Sequence, residues 1–170
     1  MKKDNKLVDG GSRTTYVGGG MREICEDKGR CDLIYNTAFA KIFNDNIFAH
    51  IELFIRTGRE ESIYEAIKMF IKDAYDGNAC DAYLELAKHY QAGAEKYAER
   101  NYEKGLPCHT YIDSGLRHYV KWLRGDVDEP HDRAFLWNMI SLLYTIYFKP
   151  EFNDLPYNKK EKNNEEEKRS

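Results

Sequence analysis

The spacing of apolar residues in the middle of the chain constrains the fold more than any other feature of the sequence. Two segments carry apolar residues three or four positions apart: Ile63, Ile67, Phe70, Ile71 and Ala74 in the first, and Ile112, Leu116, Tyr119, Val120 and Leu123 in the second. This spacing places the side chains on one face of an α-helix. We therefore predict two amphipathic helices that pack their apolar faces against a core.

Further helices are predicted on both sides of these two segments. They cover about 33–43, 46–56, 80–98 and 130–147, between the breaks NDN, TGRE, DGN, EKGLP and RGDVDEP. No stretch shows the sustained alternation of a β-strand. The sequence predicts an all-α, single-domain helical bundle in which short connections make sequential helices near-antiparallel neighbours.

The two ends of the chain differ from this helical domain. Residues 1–20 are rich in glycine and lack apolar periodicity, so we expect a flexible arm. Residues 158–170 contain no apolar side chain, so burial cannot offset the entropy lost on ordering, and we expect a disordered tail. The folded domain is predicted to cover 21–157, enough for one core of a chain with 42% apolar residues.

Charge and composition argue against several classes of protein. A net charge of −3 gives no general basic surface for nucleic acid. No apolar run approaches the roughly 20 residues of a membrane span, and the basic first residues lack the apolar segment of a secretion signal. The four cysteines show no C-x-x-C spacing, which is typical of reduced thiols. We expect a cytoplasmic protein.

Two clusters of polar residues are candidates for a site. The stretch GAEKYAERNYEKG, residues 93–105, combines charges with two tyrosines at a predicted helix end. It is either a solvated C-terminus or a phosphate-binding corner. Acids follow Gly125 at the start of the last helix, where they could cap the helix or hold a metal. His131 and Asn138 lie seven positions apart, on one side of that helix, and suit the wall of a pocket. Glu85 and His89, four apart, are a weaker metal pair.

Four blocks of sequence resemble a known family in their order: KGRCDLI, HYQAGAEKYAERNYEKG, SGLRHYVKWLRGD and DEPHDRAFLWN. They are similar to the phage and bacterial dATP/dGTP diphosphohydrolases, which are related in outline to MazG-like nucleotide pyrophosphohydrolases. The blocks cover about 28–33 and 83–142, and residues 36–80 are an added helical stretch. The chain has Tyr102 where the family has a tryptophan, and Ala134 where a second histidine is common.

The resemblance implies Mg²⁺-dependent hydrolysis of a purine deoxynucleoside triphosphate, dATP or dGTP, to the monophosphate and pyrophosphate. Each role has candidate residues: Glu95, Glu129 and Asp132 for the metal; Lys96, Arg100 and Arg117 for the phosphates; His118 or His131 for proton transfer; Asn101 and Tyr102 for sugar or base; and Asn138 for the pocket wall. Glu129 and Asp132 form an E-x-x-D motif, but the upstream E-x-x-E of MazG-like enzymes is missing.

Alternatives to this enzyme remain open. The missing E-x-x-E is compatible with a protein that binds a nucleotide without hydrolysing it, such as a phage sponge for a signalling nucleotide. A helical interaction protein without a ligand is a third reading. The resemblance also implies a homo-oligomer, since MazG-like folds commonly complete their sites between subunits, and a bacterial host cytoplasm if a phage encodes the chain.

Overall fold

The computed structural model describes residues 13–23 and 28–159. The first twelve residues of the predicted arm, Cys25 and nearly all of the predicted tail, from 160 on, lie outside these ranges. The described α-helices are α1 Asn36–Phe43, α2 Asn46–Thr57, α3 Glu60–Tyr75, α4 Ala79–Tyr97, α5 Cys108–Arg124 and α6 His131–Phe148. The predicted helical bundle is confirmed, and each predicted helix is present.

The helices begin and end at residues whose chemistry favours those positions. The side chain of Asp45 accepts a hydrogen bond from the Ile47 amide at the start of α2, and Asn78 does the same for Cys80 and Asp81 at the start of α4. Gly58 and Gly125 follow α2 and α5 with φ of 69° and 81°, a left-handed conformation that glycine adopts without a steric penalty. Local capping therefore explains why the predicted boundaries agree with the structure.

Helices α5 and α6 form an antiparallel pair in the centre of the bundle. Thr145 Oγ1 donates to the Tyr111 hydroxyl at one end, and the rings of Tyr119 and Phe135 meet at 5.3 Å at the other. Between them the helices approach closely at Gly115, where a Cβ atom would lie 3.3 Å from the Cβ of Asn138. This close approach fixes the position of Asn138 relative to α5.

The core extends from this pair to α2 and α3. The Phe70 ring of α3 lies 4.4 Å from the ring of Phe135, and Ile63 is fully buried, as the first apolar stripe predicted. In the second stripe, the prediction is wrong for Val120 and Leu123, which are 41% and 45% exposed. They lie near the C-terminal end of α5, where Val120 lines the cavity described below.

A short β-hairpin precedes the helices. Strand β1 (Arg13–Thr15) pairs antiparallel with β2 (Met21–Glu23), with Thr15 opposite Met21. The side chain of Asn101 holds β2: its Oδ1 accepts from the Met21 amide at 3.1 Å, and its Nδ2 donates to the Met21 carbonyl at 2.9 Å. Residues 13–20, which we expected to lack a fixed element, thus belong to a hairpin that is anchored by a side chain distant in sequence.

Two further features of the described residues concern the cysteines and the character of the helices. Cys31, Cys80 and Cys108 are free thiols in the structure. None of the helices in the described part of the chain combines the length and the apolar character that a membrane crossing requires.

Candidate functional site

A cavity of about 650 Å³ lies between the hairpin, α4, α5 and the first turns of α6, with residues of α1 and α2 at one side. Such a volume is within the range of small-molecule sites in proteins. Predicted site residues that line it are Lys96, Arg100, Asn101, Tyr102, Arg117, His118, Glu129 and Asn138. Residues from both predicted polar clusters, far apart in sequence, therefore meet around one space.

His118 and Glu129 line one end of the cavity, and His131, a predicted catalytic residue, is buried beside them and does not line it. His118 Nδ1 and His131 Nδ1 are 3.0 Å apart, within hydrogen-bond distance. Glu129 Oε1 lies 3.6 Å from His118 Nδ1 and 3.7 Å from His131 Nδ1. One donor atom of each residue lies within 4.8 Å of the others, so the group could hold a metal ion.

Asp128 orients the imidazole of His131. Its Oδ1 lies 2.8 Å from His131 Nε2, so that nitrogen carries the proton when it donates to the carboxylate, and Nδ1 is left to face His118 and Glu129. Hydrogen bonds from Lys121 and from His131 hold the pKa of Asp128 well below its usual value. Burial and the neighbouring His131 lower the pKa of His118 well below its usual value. His118 is therefore neutral at physiological pH.

Two predicted metal ligands lie outside this group. Glu95 is exposed and accepts a hydrogen bond from Gln91 Nε2 at 3.1 Å. Asp132 accepts a hydrogen bond from the Tyr75 hydroxyl at 3.2 Å. Burial first, and then the charge and the hydrogen bond of Asp132, raise the pKa of the Tyr75 phenol. The structure does not bring either carboxylate to Glu129, and their assignment as metal ligands stays a prediction.

Basic side chains predominate around the cavity. In the part of the chain that the structure describes, two glutamates, Glu23 and Glu129, line it beside seven basic residues: Arg22, Lys28, Lys96, Arg100, Arg117, Lys121 and Arg124. Five of the seven form an ion pair: Lys96 with Glu23, Arg100 with Glu103, Arg117 with Asp113, Lys121 with Asp128 and Arg124 with Asp126. This surplus of positive charge favours an anionic ligand, although the chain as a whole is acidic.

Arg22 is a cavity residue that the sequence did not single out. Its Nη2 donates to Asn138 Oδ1 at 2.7 Å, and its guanidinium carbon lies 5.7 Å and 5.8 Å from the ring centroids of Tyr111 and Trp137. Asn138 in turn donates to the Ala134 carbonyl at 2.7 Å. A sequence signal for Arg22 is lacking, because it reaches the site through contacts with residues 89 to 116 positions away.

Aromatic side chains form two other parts of the wall. The Tyr90 ring lies 5.1 Å from that of Tyr102 and 6.4 Å from that of Trp137. On the side of α1 and α2, Phe39 and Phe43 stack at 5.8 Å, and Phe43 stacks on Phe48 at the same distance. All of these residues line the cavity. Such surfaces suit a planar, apolar-faced group such as a nucleobase.

His89 lines the cavity from α4 but is not part of the metal-binding group. It is 8% exposed, its ring lies 5.9 Å from Trp137, and within the described residues its Nδ1 has no hydrogen-bond partner. Burial, followed by the nearby Arg133, lowers its pKa to about 4. The predicted pairing of His89 with Glu85 is not found, since Glu85 forms ion pairs with Lys88 and Arg133.

The low pKa of His89 predicts a pH-dependent stability. The folded protein keeps His89 neutral, whereas the unfolded chain binds a proton near pH 6.5, so this contribution is present above pH 6.5 and is lost as the pH falls towards 4. Replacing His89 by glutamine should remove about 2–3 kcal/mol of the change in unfolding free energy between pH 7 and pH 4. Urea unfolding of the wild-type protein and of His89→Gln at pH 7 and pH 4, without added metal, measures this change in free energy. Parallel pH profiles of the two would contradict the assignment.

Comparison with known proteins gives one finding. The family model described as dATP/dGTP diphosphohydrolase, N-terminal, matches residues 71–155. This segment runs from the last turn of α3 through α6 and contains the histidine group, the 93–105 stretch and Asn138, but neither the hairpin nor α1 and α2. No curated protein and no solved structure gives a match.

Proposed function

Because the chain belongs to the dATP/dGTP diphosphohydrolase family, a family of hydrolases, we propose that its cavity binds a purine deoxynucleoside triphosphate and hydrolyses it to the monophosphate and pyrophosphate. The observation that carries this proposal is the cavity itself. It is large enough for a nucleotide, its lining has a surplus of basic residues, and His118 and Glu129 line one end of it, with the buried His131 in contact with both.

The two kinds of wall suit the two parts of a nucleotide. Phosphate groups are held by guanidinium and ammonium groups through charge-assisted hydrogen bonds, which Arg117, Lys121 and Arg124 can provide near His118. A purine ring is held by stacking on aromatic faces, which Tyr90, Tyr102 and Trp137 provide on the α4 side. We propose that the triphosphate lies towards His118 and Glu129.

A divalent cation fits the histidine and glutamate end of the cavity. Mg²⁺ prefers oxygen ligands, so Glu129 is the residue that would hold it, together with phosphate oxygens of the substrate. The imidazoles of His118 and His131 are better ligands for a transition metal such as Mn²⁺ than for Mg²⁺. A bound cation would offset the charge of the phosphates and lower the pKa of a water molecule.

We assign proton transfer to His131. The carboxylate of Asp128 at Nε2 fixes the tautomer and stabilises the imidazolium that forms when Nδ1 accepts a proton. His118, neutral and 3.0 Å away, can share this proton. Water that attacks the α-phosphate would lose its proton to His118, which lines the cavity and can pass a proton from its Nδ1 to His131 Nδ1. The bond from the α-phosphorus to the bridging oxygen breaks to release pyrophosphate.

Product analysis tests this function. The purified protein is incubated with dATP, dGTP, dCTP and dTTP, with Mg²⁺, with Mn²⁺ or with EDTA, and the products are separated by ion-exchange chromatography. We expect dAMP and dGMP, each with one equivalent of pyrophosphate, and no reaction in EDTA. Release of inorganic phosphate with a diphosphate would contradict the proposed bond.

The same experiment identifies the alternative of a nucleotide-binding protein without turnover. One observation favours this alternative: within the described residues, Glu129 is the one carboxylate of the group formed with His118 and His131. A nucleotide that stays bound and intact in the presence of a cation would support it. If the protein neither binds nor hydrolyses a nucleotide, the remaining interpretation is a helical interaction protein without a ligand.

A further inference from the structure

We propose that Arg22 binds the phosphate chain of the ligand, reaching the cavity from a hairpin that lies outside the segment matched by the family model. The inference rests on the proposed function, because it assumes that the anion in the cavity is a nucleotide. It adds a residue that neither the family match nor the sequence motifs include.

Arg22 differs from most of the basic residues around the cavity in having no carboxylate partner among the described residues. Of the seven basic residues around the cavity, five have a carboxylate partner and Lys28 is exposed to solvent. Arg22 is only partly exposed, and no carboxylate lies within ion-pair distance of it among residues 13–23 and 28–159. A guanidinium that is withdrawn from water without an opposite charge is unfavourable, and an anion in the cavity would remove this cost.

One hydrogen-bond donor of the Arg22 guanidinium is unused. Nη2 of Arg22 is used by Asn138, but Nη1 is shielded from solvent and has no acceptor among the described residues. A buried donor without an acceptor costs about 1–3 kcal/mol. A phosphate oxygen in the cavity would supply the missing acceptor when the guanidinium turns to expose Nη1, which has no surface open to the cavity before binding. A guanidinium is well suited to this role, because its planar fork matches phosphate oxygens.

The neighbours of Arg22 hold its backbone and its side chain at the cavity wall. The backbone of Met21, on one side of Arg22, is fixed by two hydrogen bonds to Asn101, and Glu23, on the other side, pairs with Lys96. The rings of Tyr111 and Trp137 pack against the guanidinium. The backbone at Arg22 is thus held at the cavity wall before a ligand arrives, so only the guanidinium has to turn on binding, which lowers the entropy lost.

The position relative to the histidine group agrees with a phosphate ligand. The charge of Arg22 is among the causes that lower the pKa values of His118 and His89, after burial in both cases, so the guanidinium lies near both rings. An extended triphosphate held at Glu129 can reach from that end of the cavity towards Asn138. A neutral purine at Arg22 would leave its charge without compensation.

The experiment measures binding of inorganic tripolyphosphate, which has no base, by calorimetry. Replacing Arg22 by methionine removes the charge but keeps an unbranched side chain between Tyr111 and Trp137, and we expect affinity to fall about ten- to a hundredfold. Replacing it by lysine should give a smaller loss, because the charge remains without the fork. Arg13→Met is the control, since Arg13 lies on the paired strand, exposed and outside the cavity.

Unchanged affinity of Arg22→Met, or no tripolyphosphate binding by the wild-type protein, would overturn the inference. If Arg22→Met melts at a lower temperature than Arg13→Met, the lysine variant decides, and wild-type affinity for Arg22→Lys would count against a bidentate grip. An altered preference between dATP and dGTP with unchanged tripolyphosphate affinity would identify a base-reading residue instead, which also overturns it.

Failure of the inference differs from failure of the proposed function. If the wild-type protein releases pyrophosphate from dATP or dGTP, and Arg22→Met binds tripolyphosphate with wild-type affinity, the proposed hydrolase activity is supported and the role of Arg22 is excluded. If the wild-type protein binds tripolyphosphate, Arg22→Met loses this affinity, and no pyrophosphate is released from a nucleotide, the role of Arg22 is supported and the hydrolase activity is excluded.

Discussion

Replacing Glu129 by glutamine should lower the rate of nucleotide hydrolysis by about 10²–10⁴-fold at saturating substrate. The side chain keeps its size, but the negative charge that faces His118 and His131 is lost, and with it the oxygen ligand proposed for the cation. The rate of pyrophosphate release, measured at several Mg²⁺ concentrations, checks this. Higher Mg²⁺ should restore part of the lost rate if the main defect is cation affinity.

The control for this variant is Glu61→Gln. Glu61 is exposed in the first turn of α3 and does not line the cavity, so the same chemical change there should leave turnover unaltered. Both variants should melt within a few degrees of the wild-type protein, because Glu129 is partly exposed and its carboxylate lies 3.6 Å and 3.7 Å from the histidines, beyond hydrogen-bond distance. Full activity of Glu129→Gln would exclude this carboxylate from the reaction.

Replacing His131 by alanine should lower turnover by about 10²–10⁴-fold and leave nucleotide affinity nearly unchanged. The reason is that Nδ1 of His131 is the atom to which we assign the proton, while the phosphates and the base contact other residues. Single-turnover kinetics and nucleotide binding, measured separately, distinguish the two effects. The matched control is His50→Ala, a histidine of α2 that neither lines the cavity nor contacts His118 or Glu129 among the described residues.

Two additional measurements separate proton transfer from metal binding at His131. Mn²⁺ affinity should change little in His131→Ala if the imidazole carries a proton, and should fall strongly if Nδ1 is a ligand. Asp128→Asn keeps the hydrogen bond but weakens stabilisation of the imidazolium, so we expect a smaller loss of about 10–100-fold. Equal turnover of the wild-type protein and both variants would exclude His131 from the chemistry.

The helices could be predicted because their signals are local. A cap such as Asp45, a terminating glycine such as Gly125, and apolar residues such as Ile63 and Phe70 at helical spacing each lie within a few positions of the structure they specify. The exception is Val120, whose apolar side chain continues the stripe of α5 but faces the cavity and solvent. Periodicity tells which face a residue lies on, and packing decides how far along the helix that face is covered.

The site was predictable only in part, for the same reason. Residues of the 93–105 stretch and of the start of α6 carried visible polar clusters, and eight predicted residues line the cavity. Arg22 and the hairpin carried no such signal, because their order depends on Asn101 and Asn138, which are 80 and 116 positions away. The partner of His131 at Nε2 is Asp128, one of the acids after Gly125 for which the sequence left both helix capping and metal binding open.

A crystal structure of the protein with Mn²⁺ and an α,β-methylene analogue of dGTP or dATP tests where the substrate binds. We expect a nucleotide in the cavity, with its phosphates towards His118 and Glu129 and Mn²⁺ beside Glu129. A nucleotide bound elsewhere on the protein, with this cavity containing only water, would contradict this expectation.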